Sequence, residues 1–260
     1  MHTIFLFLCL ICIIDYEFIE TKNMTVTEAS EVFETVYNVP MTCNSCCESV
    51  TGAIMKNEGV KNVACDLSKQ TVCVEASIAP SKIIDAIQGT GRDAIIRGTG
   101  KPNSAAVCIL EDFNTALKDF KESRDVHGLV RLIKTKPNET FVDLTLTGMK
   151  PKNSYYASFR TGGSLLEGAL STGESLYSLP KIDCDDEGKC QQYISIPFGI
   201  DNLIGRAVTV SVDPKKVFID SMVGVIARSA GAWENDKYVC SCTGKNIWQE
   251  RNDAKERGIN

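Results

Sequence analysis

The stretch Val32-Phe33-Glu34-Thr35-Val36-Tyr37-Asn38-Val39-Pro40-Met41-Thr42-Cys43-Asn44-Ser45-Cys46 decides how the first part of this chain folds. An extended run, Val32 to Val39, is followed within a few residues by two thiols, and a helix-like run, Ser45 to Lys56, begins beside the second. Both sulfurs are therefore expected on a loop at a helix N-terminus, where unpaired backbone N–H groups and the helix dipole favour an anion. Such a place lowers a cysteine's pKa and keeps it as the thiolate that binds a metal or attacks a disulfide. Met41 is expected to pack under the loop, and Cys47 to point away as the chain enters the helix.

Outward from this stretch, Phe33, Thr35, Tyr37 and Val39 share one face of the strand, and Val50 and Ile54 stand one helical turn apart. Gly59 ends that helix, and Val60 to Leu67 with Gln70 to Ala76 reads as a hairpin around Ser68-Lys69. Pro80 and Ser81 open a second helix with an apolar stripe of Ile83, Ile84 and Ile87, which Gly89 and Gly91 stop. Asp93 to Arg97 supplies a last strand. The order βαββαβ predicts an α+β ferredoxin-like unit over residues 31–98, two helices on one side of a four-stranded antiparallel sheet.

A Gly/Pro linker, residues 99–103, separates this unit from a region of different character. Short β runs at Ala105–Leu110, Val126–Ile133, Thr140–Leu146, Tyr155–Phe159 and Leu203–Val212 predict an all-β sandwich or barrel over residues 104–228. A polar tail, residues 229–260, carries Cys240-Ser241-Cys242 and a candidate helix, Trp248 to Arg257. Trp233 and Trp248 are expected to pack that tail.

The 260 residues are 43% hydrophobic and 23% charged, with net charge -5 and no basic block, which argues against a nucleic-acid partner. Twelve cysteines are scattered too unevenly, over too long a chain, for the disulfide framework of a small secreted domain. A reducing, cytoplasmic setting fits better, and a minor mitochondrial intermembrane-space pool is compatible with it. The apolar run Ile4 to Ile14 has signal-peptide length, but no basic leader precedes it and Asp15 to Phe18 replaces a cleavage site. It is also too short to span a bilayer. Residues 1–30 are expected to be an extension, with Met24 as the working start.

The residues resemble the copper chaperones for Cu/Zn superoxide dismutase. The resemblance is carried by Met41 to Cys46, by Asp93-Ala94-Ile95-Ile96-Arg97-Gly98 with Gly100 to Ser104, by Gly224-Val225-Ile226-Ala227-Arg228-Ser229-Ala230-Gly231, and by Val239-Cys240-Ser241-Cys242-Thr243-Gly244. It implies a heavy-metal-associated first domain, a superoxide-dismutase-like Greek-key domain that docks on the target enzyme, and a Cys-x-Cys transfer tail. Where dismutases carry a His-x-His copper pair the chain has Ser158-Phe159-Arg160, and where another copper histidine is expected it has Ser211. Independently of the resemblance, two histidines in all, His2 and His127, are too few for a histidine-built copper/zinc centre. The dismutase cysteine before Gly224 is replaced within Ser221-Met222-Val223, which leaves Cys184 and Cys190 as a pair of uncertain role.

Cu(I) is soft, and thiolate is the ligand that selects it. The expected metal ligands are Cys43 and Cys46 in the loop and Cys240 and Cys242 in the tail. The tail pair lies on one side of an extended chain, suited to sharing Cu(I) or to forming an exchangeable disulfide that oxidises a partner's thiols. A thioredoxin-type redox pair and a zinc site are the rival readings of Cys43 and Cys46, but no Trp-Cys-Gly-Pro-Cys is present and, outside the apolar run Ile4 to Ile14, no second Cys-x-x-Cys or His-x-x-x-His pair. Cys65, Cys73 and Cys108 are expected as small core residues. Arg228 and Gly224 are expected at the docking or structural face, Arg228 near the site of a dismutase substrate channel.

These expectations combine into a metallochaperone, not an enzyme. It would bind Cu(I), form a heterodimer with Cu/Zn superoxide dismutase, insert copper and assist disulfide formation; a homodimer is compatible, and no membrane partner is expected. The alternatives are a thiol–disulfide oxidoreductase and a copper-sequestering protein without a dismutase target.

Overall fold

A computed structural model describes residues 28–99, 103–112, 126–229 and 244–256. Strand β1 (Glu28–Asn38), helix α1 (Asn44–Met55), β2 (Val60–Asp66), β3 (Thr71–Ile78), α2 (Pro80–Gln88) and β4 (Ile95–Thr99) form the first unit. Its sheet runs in the order β2-β3-β1-β4, with every pairing antiparallel. This is the ferredoxin-like arrangement. The strand alternation of β3 buries Val72, Val74, Ala76 and Ile78, while α1 sends Cys46, Val50 and Ile54 inward at four-residue spacing. Pro80 opens α2 in the first-turn position that its fixed φ suits, and Ile83, Ile84 and Ile87 close the core.

Phe33 keeps the face predicted for it but packs into a different core. Tyr37 and Val39 lie in the first unit's core, whereas Phe33 packs with Ala29, Ala79, Ile133, Phe141 and Tyr193, its ring 6.0 Å from that of Phe141. Phe33 to Asn38 pair with Ala76 to Thr71 without a break, so Phe33, Thr35 and Tyr37 share a face, and the irregular pairing lies before Phe33, between it and Glu28. The strand thus contributes to two cores.

The second unit contains β5 (Ala105–Asp112), β6 (Val126–Lys136), β7 (Glu139–Leu146), β8 (Ser154–Arg160), β9 (Ser175–Ser178), β10 (Ile182–Asp183), β11 (Cys190–Ile196), β12 (Ala207–Ser211), β13 (Met222–Val225) and β14 (Ala227–Arg228). They form one ten-stranded sheet along the path β10-β8-β12-β13-β5-β6-β7-β11, with β9 on β8 and β14 on β5. A bridge between Cys184 and Cys190 joins the two ends of that path into a barrel. Leu110, Leu132, Leu144, Phe159 and Val208 fill the interior. The expected strand Leu203–Val212 shortens to β12, because Leu203 to Gly205 continues from a 3-10 turn and Gly205 takes φ 81°. Thr99, expected in the linker, pairs with Thr35 as the last residue of β4.

A buried carboxylate joins the units. Asp143 on β7 accepts from the Ser81 backbone N–H at 3.0 Å and the Ser81 hydroxyl at 2.9 Å, in the first turn of α2. Arg131 Nη1 stands 3.6 Å from the same carboxylate, and Tyr193 Oη lies 3.3 Å from Ser81 Oγ. Burial pushes the Asp143 carboxyl up, against the opposing pull of Arg131 and Ser81. Lys82 lies over the Tyr193 ring at 5.1 Å, and Lys189 pairs with Asp85 at 3.7 Å.

Helix α3 (Ile247–Glu256) returns to the first unit, where Arg251 and Lys255 reach Asp93 at 3.4 Å and 2.7 Å. Burial pushes Asp93 up, but hydrogen bonds from Lys255 and the Ala94 N–H and the Arg251 charge prevail and hold its carboxyl below the usual range. No described helix is long and apolar enough to cross a membrane.

Candidate metal-binding loop

Cys43 occupies the N-cap position of α1 in extended conformation, φ -155° and ψ 169°, and makes no side-chain cap. Its carbonyl accepts from the Cys46 N–H at 3.0 Å and the Cys47 N–H at 3.4 Å, which closes the first turn and brings the Cys43 and Cys46 sulfurs to 3.4 Å. Cys46 is therefore inside the helix, not on the preceding loop. Cys43 is exposed, and Ser45 Oγ lies 3.1 Å from its sulfur.

Cys46 is tuned by donors gathered around the loop. The Thr42 backbone N–H, the Arg92 side chain, Cys43 and the Thr42 hydroxyl all hydrogen-bond its sulfur, and together they lower its pKa to about 6. Burial, which opposes ionisation, is the weakest influence. Near pH 7 the site already holds the thiolate that a soft ion needs. The 3.4 Å sulfur separation is near what one ion with metal–sulfur bonds of ~2.3 Å spans, and the exposed Cys43 can adjust the rest.

Behind the pair, Met41 is 1% exposed and packs under the loop. Its carbonyl accepts from Gln70 Nε2 at 3.1 Å, and the Gln70 carbonyl accepts from the Val39 N–H at 2.9 Å. Gln70 adopts φ 52° at the tip of the β2–β3 hairpin, so the hairpin turn braces the thiol loop. Sequence reasoning missed both Gln70 and Arg92: neither belongs to a motif, and only the tertiary fold carries them to the loop.

The remaining cysteines correct several expectations. Cys47 does turn from the pair, but to bond Cys65 on β2 in a disulfide, so Cys65 is not a free core residue. Cys73 lies half-exposed on the outer face of β3, where burial and the carboxylates of Glu34 and Glu75 raise its thiol to about 11. Cys108 is fully buried and pushed up to about 12, first by burial. Cys184 and Cys190 form the disulfide at the barrel closure, with Cα atoms 4.3 Å apart. Cys240, Cys242 and Trp233 lie outside the described residues.

At the positions expected to have lost copper ligands, the side chains are engaged with protein. Ser158 Oγ lies 2.7 Å from Ser175 Oγ, Arg160 Nε donates to Thr172 Oγ1 at 3.1 Å, and Ser211 Oγ donates to the Lys216 carbonyl at 2.7 Å. Among the described residues no group of three or more His, Cys, Asp and Glu side chains is placed to hold a metal ion. Gly224 has a structural reason: a Cβ there would lie 1.8 Å from the Ile109 carbonyl oxygen of β5. Arg228 is exposed on β14, and its guanidinium donates to Asn103 Oδ1.

Residues 36–93 match the family model described as the heavy-metal-associated domain. Over 249 residues the chain is 45% identical to the superoxide dismutase 1 copper chaperone of Debaryomyces hansenii, an alignment covering 87% of this chain and 98% of that one. The corresponding protein of Saccharomyces cerevisiae is 37% identical over 245 residues, 88% of this chain and 98% of the relative. A solved structure, the copper(I)-loaded first domain of the human copper chaperone for superoxide dismutase 1, is 30% identical; the match covers 26% of this chain and 97% of that one, with TM-score 0.26.

Proposed function

The chain belongs to the superoxide dismutase 1 copper chaperones, and we propose that it takes up Cu(I) between Cys43 and Cys46 and delivers it to Cu/Zn superoxide dismutase in the cytoplasm. It is a metallochaperone, not an enzyme. One observation carries the proposed copper site: two sulfurs 3.4 Å apart at the start of α1, one exposed and the other lowered to about 6. Two thiolates leave a soft d10 ion undercoordinated, so an incoming thiolate can bind before an outgoing one leaves, and copper passes without release as free ion.

The barrel, residues 104–228, is the docking face for one dismutase subunit in a heterodimer. The same face accounts for a homodimer when the target is absent. Cys240 and Cys242 complete the transfer as thiolates; in a chain whose tail pair an external two-electron oxidant has joined as a disulfide, the target's cysteine pair reduces that bond to two tail thiols and becomes a disulfide itself.

The test is recovery of dismutase activity when Cu(I)-loaded chain meets reduced, zinc-bound, copper-free dismutase under a chelator that strips free ion. The intact chain should activate; Cys43→Ser with Cys46→Ser should lose the copper supply, and Cys240→Ser with Cys242→Ser should lose transfer. Activation no greater than the chelator control would reject delivery.

A further inference from the structure

Three sulfurs outside the Cys43 and Cys46 pair meet beneath the loop. Cys47 in the first turn of α1 is bonded to Cys65 on β2, their Cα atoms 6.0 Å apart. The Met41 thioether Sδ stands 3.8 Å from Cys47 Sγ and 3.5 Å from Cys65 Sγ. Gln70 fixes the Met41 backbone from the hairpin side, so the thioether is placed before any ligand arrives. Disulfide sulfurs carry no thiolate, and thiolate is the form that binds metal. The cluster is therefore closed to metal while the bond stands.

We propose that Cys47, Cys65 and Met41 form a second soft-metal site that accepts Cu(I) only after the Cys47–Cys65 disulfide is reduced. Two molecules of a small thiol supply the electrons: the Cys47–Cys65 bond breaks, a disulfide forms between the two reductant sulfurs, and their hydrogens pass to Cys47 and Cys65. Cu(I) then displaces those two protons and stays monovalent, held by two thiolates and one thioether. Sulfur donors of this kind select Cu(I) over harder cations.

The spacing suits that ion. Three donors around a metal with bonds of ~2.3 Å stand roughly 4 Å apart. Two of the three separations are already 3.5 Å and 3.8 Å, and the third opens when the disulfide is cut. Because Cys46 and Cys47 are consecutive, the two sites share a helical turn, and the redox state of the inner pair sets how much copper the unit carries.

The full-length chain with Cys43, Cys46, Cys184, Cys190, Cys240 and Cys242 changed to Ser isolates this site from the proposed transfer thiols and from the second disulfide that phosphine would open. Its result therefore stands whether or not copper delivery does. Anaerobic Cu(I) is titrated against bicinchoninate after oxidation by glutathione disulfide, and again after phosphine reduction and desalting.

The reduced chain should bind one equivalent with sulfur-only coordination in X-ray absorption, and the oxidised chain none. Cys65→Val should abolish binding, and Met41→Leu, a volume-conserving change that keeps the fold, should weaken it at least tenfold. Equal uptake in both redox states, no uptake after reduction, uptake that survives Cys65→Val, or unchanged affinity in Met41→Leu would each overturn the proposal.

Discussion

Cys46, in the first turn of α1, and Cys108, in the wall of the barrel, carry the same thiol and are prepared for opposite fates. Cys46 is surrounded by donors that hold its pKa near 6, whereas Cys108 is sealed among barrel side chains and pushed up to about 12. What separates them is the supply of hydrogen bonds to the anion against the loss of water. The first unit gathers donors around a sulfur to stabilise a charge; the barrel uses its interior to exclude one.

The largest expected effect is a direct test of that contrast. Alkylation by iodoacetamide at pH 7, followed by peptide mass spectrometry, should modify Cys46 at least about a thousandfold faster than Cys108, since thiolate is the nucleophile. Comparable rates would break the comparison. The folded pKa of Cys46 lies below its unfolded value near 8.5, so folding favours the thiolate. That contribution is present above the unfolded pKa and is lost as pH falls through about 6, where the alkylation rate should fall as well.

Next comes the joint between the regions. Asp143→Ala leaves Arg131 buried without its carboxylate and Ser81 without its acceptor, and should cost about 3–5 kcal/mol in denaturant unfolding. Cys46 reactivity should stay unchanged, because its donors are all in the first unit. Gly224→Ala strikes the barrel alone. Its Cβ overlaps the backbone of β5, beside the Cys108 sulfur, and should cost about 3 kcal/mol. Hydrogen exchange should then quicken in the barrel and not around α1.

Two smaller changes sharpen the picture on the thiol side. Arg92→Met should raise the Cys46 alkylation midpoint by up to about one unit, because a cationic donor to the sulfur is lost. Arg251→Ala with Lys255→Ala should release α3 from Asp93 at a cost of about 1 kcal/mol, seen as faster exchange in that helix.

Much of the first unit could be read from the chain because its cues are local. Pro80 marks a helix start, Ile83 and Ile87 share a face, and Cys43 and Cys46 announce their spacing directly. The barrel was less legible. Strand β11 (CQQYISI) hides its alternation behind two glutamines, β13 is four residues around a glycine, and β10 and β14 have two residues each. Such strands exist through pairing with distant partners, and periodicity has no room to appear in them.

The same distinction holds at the site. Cys43, Cys46 and Met41 were named from one short stretch, whereas Gln70, Arg92 and the Cys47–Cys65 bond come from other elements. Cys65 looked like filler in an apolar strand because a disulfide partner leaves no local trace.

Helix α2 is fastened at both ends, by Asp143 at Ser81 and by the Gln88 amide, which donates to Asp93 at 3.3 Å beside Arg92. Nine residues of helix make a strut of about 14 Å between the barrel and the neighbourhood of the thiols. The strut thus helps to set the bearing and the range at which the exposed Cys43 thiol stands from the barrel.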